Sequence, residues 1–308
     1  MRKLTCVVPC FNEQESIPLF YPEAVKYLRR IPDVSYEIVF VDDGSQDGTL
    51  AAIKKIAARD KRVRYVSFSR NFGKEAAIYA GLKAATGDLV VLMDADLQDP
   101  PALLPDMVHA IVHEGFDSVA TKRKTRRGEP KIRSLCAECF YRLANRISKV
   151  KIEPGSRDYR MMTRPMVDAV LQVSEYNRFT KGIFPWVGFR TKWVAYDNVK
   201  RAAGKTKWNF WKLLAYSVEG IAAFSTAPLA LASFLGVGMC VLSFLAMILI
   251  IVQHALGHQS AFGWASLVCI FLFVGGVQLF CIGILGQYLS RTYLETKKRP
   301  LYIVKERK

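Results

Sequence analysis

Short apolar runs alternate with amphipathic stretches through the first part of the chain, and the pattern then turns almost wholly apolar. Leu4–Val8, Ile38–Val41, Val63–Phe68 and Leu89–Met93 have the length and composition of buried strands. Between them, helical spacing runs from Glu15 to Arg30, from an opening at Asp47-Gly48-Thr49 through Ala58, over Glu75–Ala85 to a stop at Gly87, and from Pro101 to His113. Ser118–Thr121 reads as a further strand. Strands that alternate with helices predict a parallel sheet covered on both faces. The stretch from Arg123 to Arg133 is basic and reads as a loop, and Ile132 to Ile147 returns to helical spacing with Phe140 and Leu143 on one side.

From Gly220 to Ser290 there is no Lys, Arg, Asp or Glu. Two apolar runs, from about 227 to 252 and from about 262 to 287, are each long enough to cross ~30 Å of hydrocarbon. The segment between them carries no Lys or Arg. Arg201, Lys205, Lys207 and Lys212 lie before the pair, and Arg291, Lys297, Lys298 and Arg299 after it. That asymmetry predicts both termini on the cytoplasmic side of a cell membrane, with a short external loop. Trp208 to Ala222 places Trp208, Trp211, Leu214, Ala215, Val218 and Ile221 on one face, a pattern for a helix lying in the membrane interface. The expected layout is a catalytic domain over 1–207, an interfacial helix over 208–226, a two-helix anchor over 227–290 and a basic tail over 291–308.

The formal net charge of +17 over 308 residues suits nucleic acid, anionic membrane or phosphorylated substrates. The apolar block directs it towards membrane and phosphate, and no nucleic-acid partner is expected. The N-terminal apolar run is too short for a signal peptide and ends at Pro9. Seven cysteines suggest no disulfide framework; Cys240, Cys269 and Cys281 fall in the spans, and Cys136 and Cys139 read as two positions on a helix face. Gly236, Gly238, Gly275, Gly276, Gly283 and Gly286 permit close helix packing in lipid. Either the two spans of one chain or a homo-oligomer would use it.

The chemistry concentrates after the strands. Asp94-Ala95-Asp96 ends the fourth apolar run, and paired carboxylates are hard oxygen donors suited to a divalent cation carrying phosphates. The first strand leads into Pro9-Cys10-Phe11-Asn12-Glu13, and the second into Val41-Asp42-Asp43-Gly44-Ser45-Gln46-Asp47-Gly48-Thr49. Acids at three neighbouring strand ends repel one another unless cations or donors satisfy them. In an open α/β sheet, that edge is where ligands bind. None of His109, His113, His254 and His258 has a ligand arrangement with these acids.

V-V-P-C-F-N-E, F-V-D-D-G-S-Q-D-G-T, R-N-F-G-K-E and D-A-D-L-Q-D-P, in this order and spacing, resemble the polyprenyl-phosphate glycosyltransferases of glycosyltransferase family 2. The likeness is nearest to the bactoprenol glucosyltransferase type and extends to dolichol-phosphate mannose synthases. Gly204-Lys205-Thr206-Lys207-Trp208-Asn209 and the run from Arg291 to Pro300 also match, so it covers nearly the whole chain. The resemblance implies a GT-A fold, a nucleotide-sugar donor, Mg2+ or Mn2+, and a polyprenyl phosphate acceptor. It places Pro9, Asn12, Glu13, Asp42 and Asp43 at the nucleotide, Asp94 and Asp96 at the metal and diphosphate with Gln98 nearby, and Lys74 close to the donor. Asp158, in R-D-Y-R-M-M, matches the family's catalytic base. A phosphomonoester is already largely ionised at neutral pH, with a second pKa near ~6, so an orienting role for Asp158 stands beside the basic one.

Cations are needed for the acceptor phosphate, and Arg123, Arg127 and Arg133 with Arg201 and Lys205 are expected to supply them. Lys124, Arg126 and Lys131 are expected in solvent or against anionic lipid. The expected reaction is inverting transfer of a hexose, glucose from UDP-glucose, to undecaprenyl phosphate for cell-envelope glycan modification. A flippase or second glycosyltransferase is implied downstream. GlcNAc, GalNAc, mannose or an aminoarabinose derivative are the alternative sugars. A processive synthase would need a Q-x-x-R-W motif and more spans, and neither is present. A silent scaffold or lipid carrier would leave the acid set without a task.

Overall fold

A computed structural model describes residues 1–123, 146, 151, 153–197, 225–256 and 263–308. Chain contacts divide it into two compact units, Met1–Gly220 with Arg299–Lys308, and Ile221–Lys298. Apart from Arg146, the expected helices over Ile132–Ile147 and Trp208–Ala222, the Cys136/Cys139 pair, and Arg127, Arg133, Arg201 and Lys205 lie outside the described residues.

The first unit is built on β1 (Arg2–Cys10), α1 (Ile17–Leu28), β2 (Val34–Asp42), α2 (Thr49–Arg59), β3 (Val63–Phe68), α3 (Lys74–Ala84), β4 (Leu89–Leu92), a 3-10 turn at Pro101–Leu103, α4 (Leu104–Glu114) and β5 (Ser118–Arg123). These follow the apolar periodicity, with ends shifted by a few residues. Then come β6 (Ser156–Thr163), α5 (Arg164–Gln172), α6 (Thr180–Trp186), β7 (Thr191–Tyr196) and, at the C-terminus, β8 (Val304–Arg307). The sheet order is β7-β5-β6-β4-β1-β2-β3-β8. β3, β2, β1 and β4 are mutually parallel, and β7 is parallel to β5. β6 and β8 run antiparallel to their neighbours.

This order places the site. The chain winds outward through β1, β2 and β3, then returns to lay β4 on the other side of β1, so β1 and β4 flank a switch point that leaves a crevice at their C-terminal ends. Alternation along the strands packs both faces. Leu4, Cys6, Val8 and Cys10 join Phe20 of α1 and Met107 of α4 on one side, while Val39 and Val41 meet Ala76, Ala77 and Ala80 of α3 on the other. At Gly81 a Cβ would come within 2.2 Å of Val7, so the missing side chain lets α3 lie close on the sheet.

Two expectations are corrected here. The segment after 291 is more than a basic tail: a helix runs on to Thr296, and Val304–Arg307 pairs with β3 as an edge strand. Residues 156–163, to which no strand was assigned, form β6 between β4 and β5. The second unit holds α7 (Ala227–Ala255) and α8 (Trp264–Thr296), both long and apolar enough to cross a membrane. Within it the Tyr288 hydroxyl donates to the Ser225 carbonyl at 2.6 Å.

Candidate active site

The loops after β1 and β2 are locked to each other by side chains from both motifs. Asn12 lies in the left-handed region at φ 54°. Its N–H donates to Ser45 Oγ at 3.0 Å, and its Oδ1 accepts from the Gln46 N–H at 2.9 Å. The Glu13 N–H donates to Thr49 Oγ1 at 2.7 Å, and the Glu13 carboxylate accepts from Ser16 Oγ at 2.6 Å. Gln14 Oε1 accepts from the Gly48 N–H at 2.8 Å. Asn12 and Glu13 therefore shape the mouth of the crevice through loop-to-loop bonds, and Pro9 stands half-buried at the end of β1.

Asp42 and Asp43 close β2 and are both buried. Asp42 accepts from the Ser45 N–H at 3.1 Å and from Ser67 Oγ on β3 at 2.8 Å. Asp43 accepts from the backbone N–H groups of Phe72 at 2.7 Å and Gly73 at 3.0 Å. Burial pushes the Asp43 carboxyl up to about 6 against those two amides, which pull it down. Gly44 turns the chain at φ +65°, where a Cβ would fall 2.3 Å from the Arg70 backbone. Only a residue without a side chain allows the two loops this approach.

β4 delivers Asp94, half-buried, and Asp96, which is 5% exposed. Asp96 Oδ1 accepts from the Gln98 N–H at 3.0 Å, across Leu97 held at φ 58°. A leucine in that region is strained, and such strain gathers at functional loops. The antiparallel pairing of β6 on β4 matches Leu92 with Arg160. Carried two residues further, the register sets Asp158 opposite Asp94.

Lys74, first residue of α3, fills the space between them. Its Nζ lies 2.6 Å from Asp158 Oδ2 and 2.8 Å from Asp94 Oδ1. Burial acts to raise Asp158, but the Lys74 ammonium and the Lys181 charge outweigh it and hold the carboxyl well below the usual range. Partial desolvation disfavours the Lys74 charge, although the side chain stays 43% exposed, and the two carboxylates reverse that, so the ammonium is held above its ordinary value. One ammonium thus joins three chain segments that lie far apart in sequence.

A further cluster had not been singled out from the sequence beyond Gln98. Asp99 is 1% exposed and accepts from the Tyr196 hydroxyl at 2.9 Å, with Arg157 Nε at 3.5 Å. Arg157 Nη2 also donates to Gln98 Oε1 at 3.4 Å. These contacts tie β6 and β7 to the loop after β4. The adjacent R-D in R-D-Y-R was the available signal, but the partners come from residues 59 and 97 positions away. Of the residues expected at an acceptor phosphate, Arg123 ends β5, paired with Tyr196 in register; the others lie outside the described residues.

Among the described residues no three His, Cys, Asp or Glu side chains converge as a metal cage. Asp94 and Asp96 nonetheless fit a divalent cation that takes its other oxygens from a diphosphate and water, because both are carboxylates and Asp96 is already oriented by the Gln98 amide.

Comparison with known proteins gives the family. The description of glycosyl transferase family 2 matches residues 5–171. A prophage bactoprenol glucosyl transferase homolog of Escherichia coli (strain K12) is 42% identical over 303 residues, covering 98% of each chain. The bactoprenol glucosyl transferase of Shigella phage SfX is 42% identical over 306 residues, 99% of this chain and 100% of its own. The putative glycosyltransferase CsbB of Bacillus subtilis (strain 168) is 41% identical, over 98% and 91%. Among solved structures, glucosyl-3-phosphoglycerate synthase from Mycobacterium tuberculosis, in complex with Mn2+, UDP-glucose and phosphoglyceric acid, is a loose likeness. It is 22% identical over 72% of this chain and 78% of its own, with a TM-score of 0.46. The family match takes in Asp42, Asp43, Asp94, Asp96 and Asp158, and relatives above 40% identity run nearly the length of the chain, so the chain belongs to glycosyl transferase family 2.

Proposed function

We propose that this glycosyltransferase moves glucose from UDP-glucose to a polyprenyl phosphate with inversion at the sugar carbon. The observation that carries the reading is the Asp94–Lys74–Asp158 bridge at the sheet's switch point, in a chain 42% identical along its length to proteins named bactoprenol glucosyl transferase. Asp42 and Asp43 are assigned to the nucleoside, with Pro9, Asn12 and Glu13 around it. Asp94 and Asp96, with Gln98 beside them, are assigned to the diphosphate end. Those two carboxylates would hold Mg2+ or Mn2+, which when bound neutralises charge developing on the leaving diphosphate.

The acceptor phosphate oxygen attacks the sugar carbon, the bond to the nucleoside diphosphate breaks, and a single displacement turns an α-linked donor into a β-linked lipid phosphate. The attacking group needs little help with its proton, since a phosphomonoester's second pKa is near ~6. Asp158 is suited to orientation more than to proton transfer: its pairing with Lys74 at 2.6 Å keeps it a carboxylate of low basicity. On this reading Lys74, paired with Asp94 and Asp158 in the free protein, shifts its charge towards the diphosphate when the donor arrives.

The two apolar helices support a membrane anchor, and the cations flanking them support a cytoplasmic catalytic domain with both termini on that side. On this reading 208–226 is the interfacial helix, and Arg123, Arg127, Arg133, Arg201 and Lys205 meet the acceptor phosphate. Protease access in inverted against right-side-out vesicles tests the topology. Purified protein with undecaprenyl phosphate, Mg2+ or Mn2+, and a panel of UDP-glucose, UDP-GlcNAc, UDP-GalNAc and GDP-mannose tests the reaction. A β-linked glucosyl lipid is expected; a different preferred sugar would overturn the donor, and no glycolipid from any would overturn the reaction.

A further inference from the structure

We propose that the C-terminal strand β8 is a positioning element of the donor pocket, acting through Tyr302 on the segment 69–73. The inference rests on the donor reading only for what Asp43 binds; the bracing itself stands on contacts within the catalytic sheet.

The contacts form a continuous path. Tyr302 stacks on Phe68 at the end of β3, with ring centroids 4.8 Å apart and planes 18° from parallel. Phe68 meets Phe72 edge-to-face at 5.8 Å and 88°. The Phe72 N–H is the 2.7 Å donor to Asp43, and Gly73 follows it with the second amide. Lys74, next along, begins α3 and carries the ammonium between Asp94 and Asp158. Tyr302 also reaches Tyr79 of α3 at 6.5 Å, touching the same helix one turn on.

The backbone supports the same segment. The Ser69 N–H donates to the Ile303 carbonyl at 3.0 Å, while Lys308 and Tyr65 exchange backbone bonds further along the strand pair. Lys54 holds Glu306 at 2.7 Å, securing β8 to α2. Without residues 302–307, β3 would be an open edge, Ser69 would lose its backbone partner, and Phe68, against which Phe72 packs, would lose the Tyr302 ring stacked on it. A buried aspartate held by two amides depends on where those amides point, so residues at the far end of the chain help set the second strand's acid.

Amide hydrogen exchange on the full-length protein tests this without any ligand. In Tyr302→Ala, exchange over 69–73 should rise roughly tenfold while β1 and β4 keep their protection; Tyr302→Phe, which retains the ring, should match the native protein. UDP-glucose dissociation constants should follow, weakened roughly fivefold in Tyr302→Ala and unchanged in Tyr302→Phe, with kcat at saturating donor nearly kept. Unchanged exchange over 69–73, or a rise shared equally by β1 and β4, would overturn the positioning role. So would faster exchange with an unaltered dissociation constant. Failure of the native protein to bind any nucleotide sugar shows up separately, before a variant is made, and leaves the exchange result to decide the brace.

Discussion

The two ends of one mostly parallel sheet both bury carboxylates, and Glu37 at one end and Asp43 at the other are treated in opposite ways. At the N-terminal edge Glu37 of β2 is 4% exposed and fully served: Thr5 Oγ1 and Thr86 Oγ1 donate at 2.7 Å, the Thr86 N–H at 3.0 Å, and Lys3 Nζ lies 2.8 Å away. Burial would raise its carboxyl, but these donors bring it down to about 2. At the C-terminal edge, six residues further on and just past the end of β2, Asp43 is as buried and has two amides; burial wins and the carboxyl rises to about 6. Asp99 is likewise raised by burial, with its Oδ2 unpartnered among the described residues. A carboxylate whose donors are all supplied by the fold holds the fold together. Carboxylates left short of donors store a demand that a ligand can meet.

The largest effect expected from breaking this contrast is at Asp96, which the proposed reaction assigns to the diphosphate. Asp96→Ala should lower kcat/KM by roughly 10^3-fold, in line with losing a principal electrostatic group, with thermal unfolding little altered; near-native turnover would remove Asp96 from the site. Lys74→Met comes next. It leaves Asp94 and Asp158 facing each other without the shared ammonium, and kcat should fall roughly 10^2-fold with the overall fold kept, as judged by circular dichroism.

At the structural edge the readout is stability. Glu37 has its folded pKa below the unfolded value of 4.5, so its contribution is present above that value and is lost as pH falls towards about 2. The lowering corresponds to about 3 kcal/mol. Glu37→Gln should lose an amount of that order at pH 7 and show a flatter stability profile below pH 5 in denaturant titrations, with catalysis by folded enzyme unaffected. Asp43 has the opposite sign. Its folded pKa lies above 3.8, so ionisation costs stability as pH rises through the interval from 3.8 to about 6. Asp43→Asn should gain about 1 kcal/mol at pH 8, part of the roughly 3 kcal/mol the raised value implies, and nothing below pH 4, while weakening nucleotide binding. A loss of stability at pH 8 would show that the amides fully repay the burial.

Legibility in the sequence followed distance along the chain. The strands and helices up to β5 could be read because apolar periodicity is local, and the acid-bearing strand ends came with them. β6 was missed because Arg157, Asp158 and Arg160 look like a polar loop. In the structure, Arg160 is 3% exposed between Phe184 and Trp193, and Asp158 is neutralised by Lys74. β8 was missed for a similar reason: Val-Lys-Glu-Arg has no strand-like alternation of buried positions, and its pairing comes from the open edge of β3.

By itself, the sequence determined the alternation of strand and helix, the apolar block without charges, and the placement of acids at strand ends, because each depends on residues within a few positions of one another. Only the tertiary structure decided the strand order that opens a crevice between β1 and β4, the antiparallel register that sets Asp158 against Asp94, and the return of β8 to brace β3. Those depend on which backbone edges pair and which charges meet across dozens to hundreds of residues. Lys74 shows the division: its type and its place at a helix start are local, but its two partners at 2.6 and 2.8 Å exist only once the sheet has closed around it.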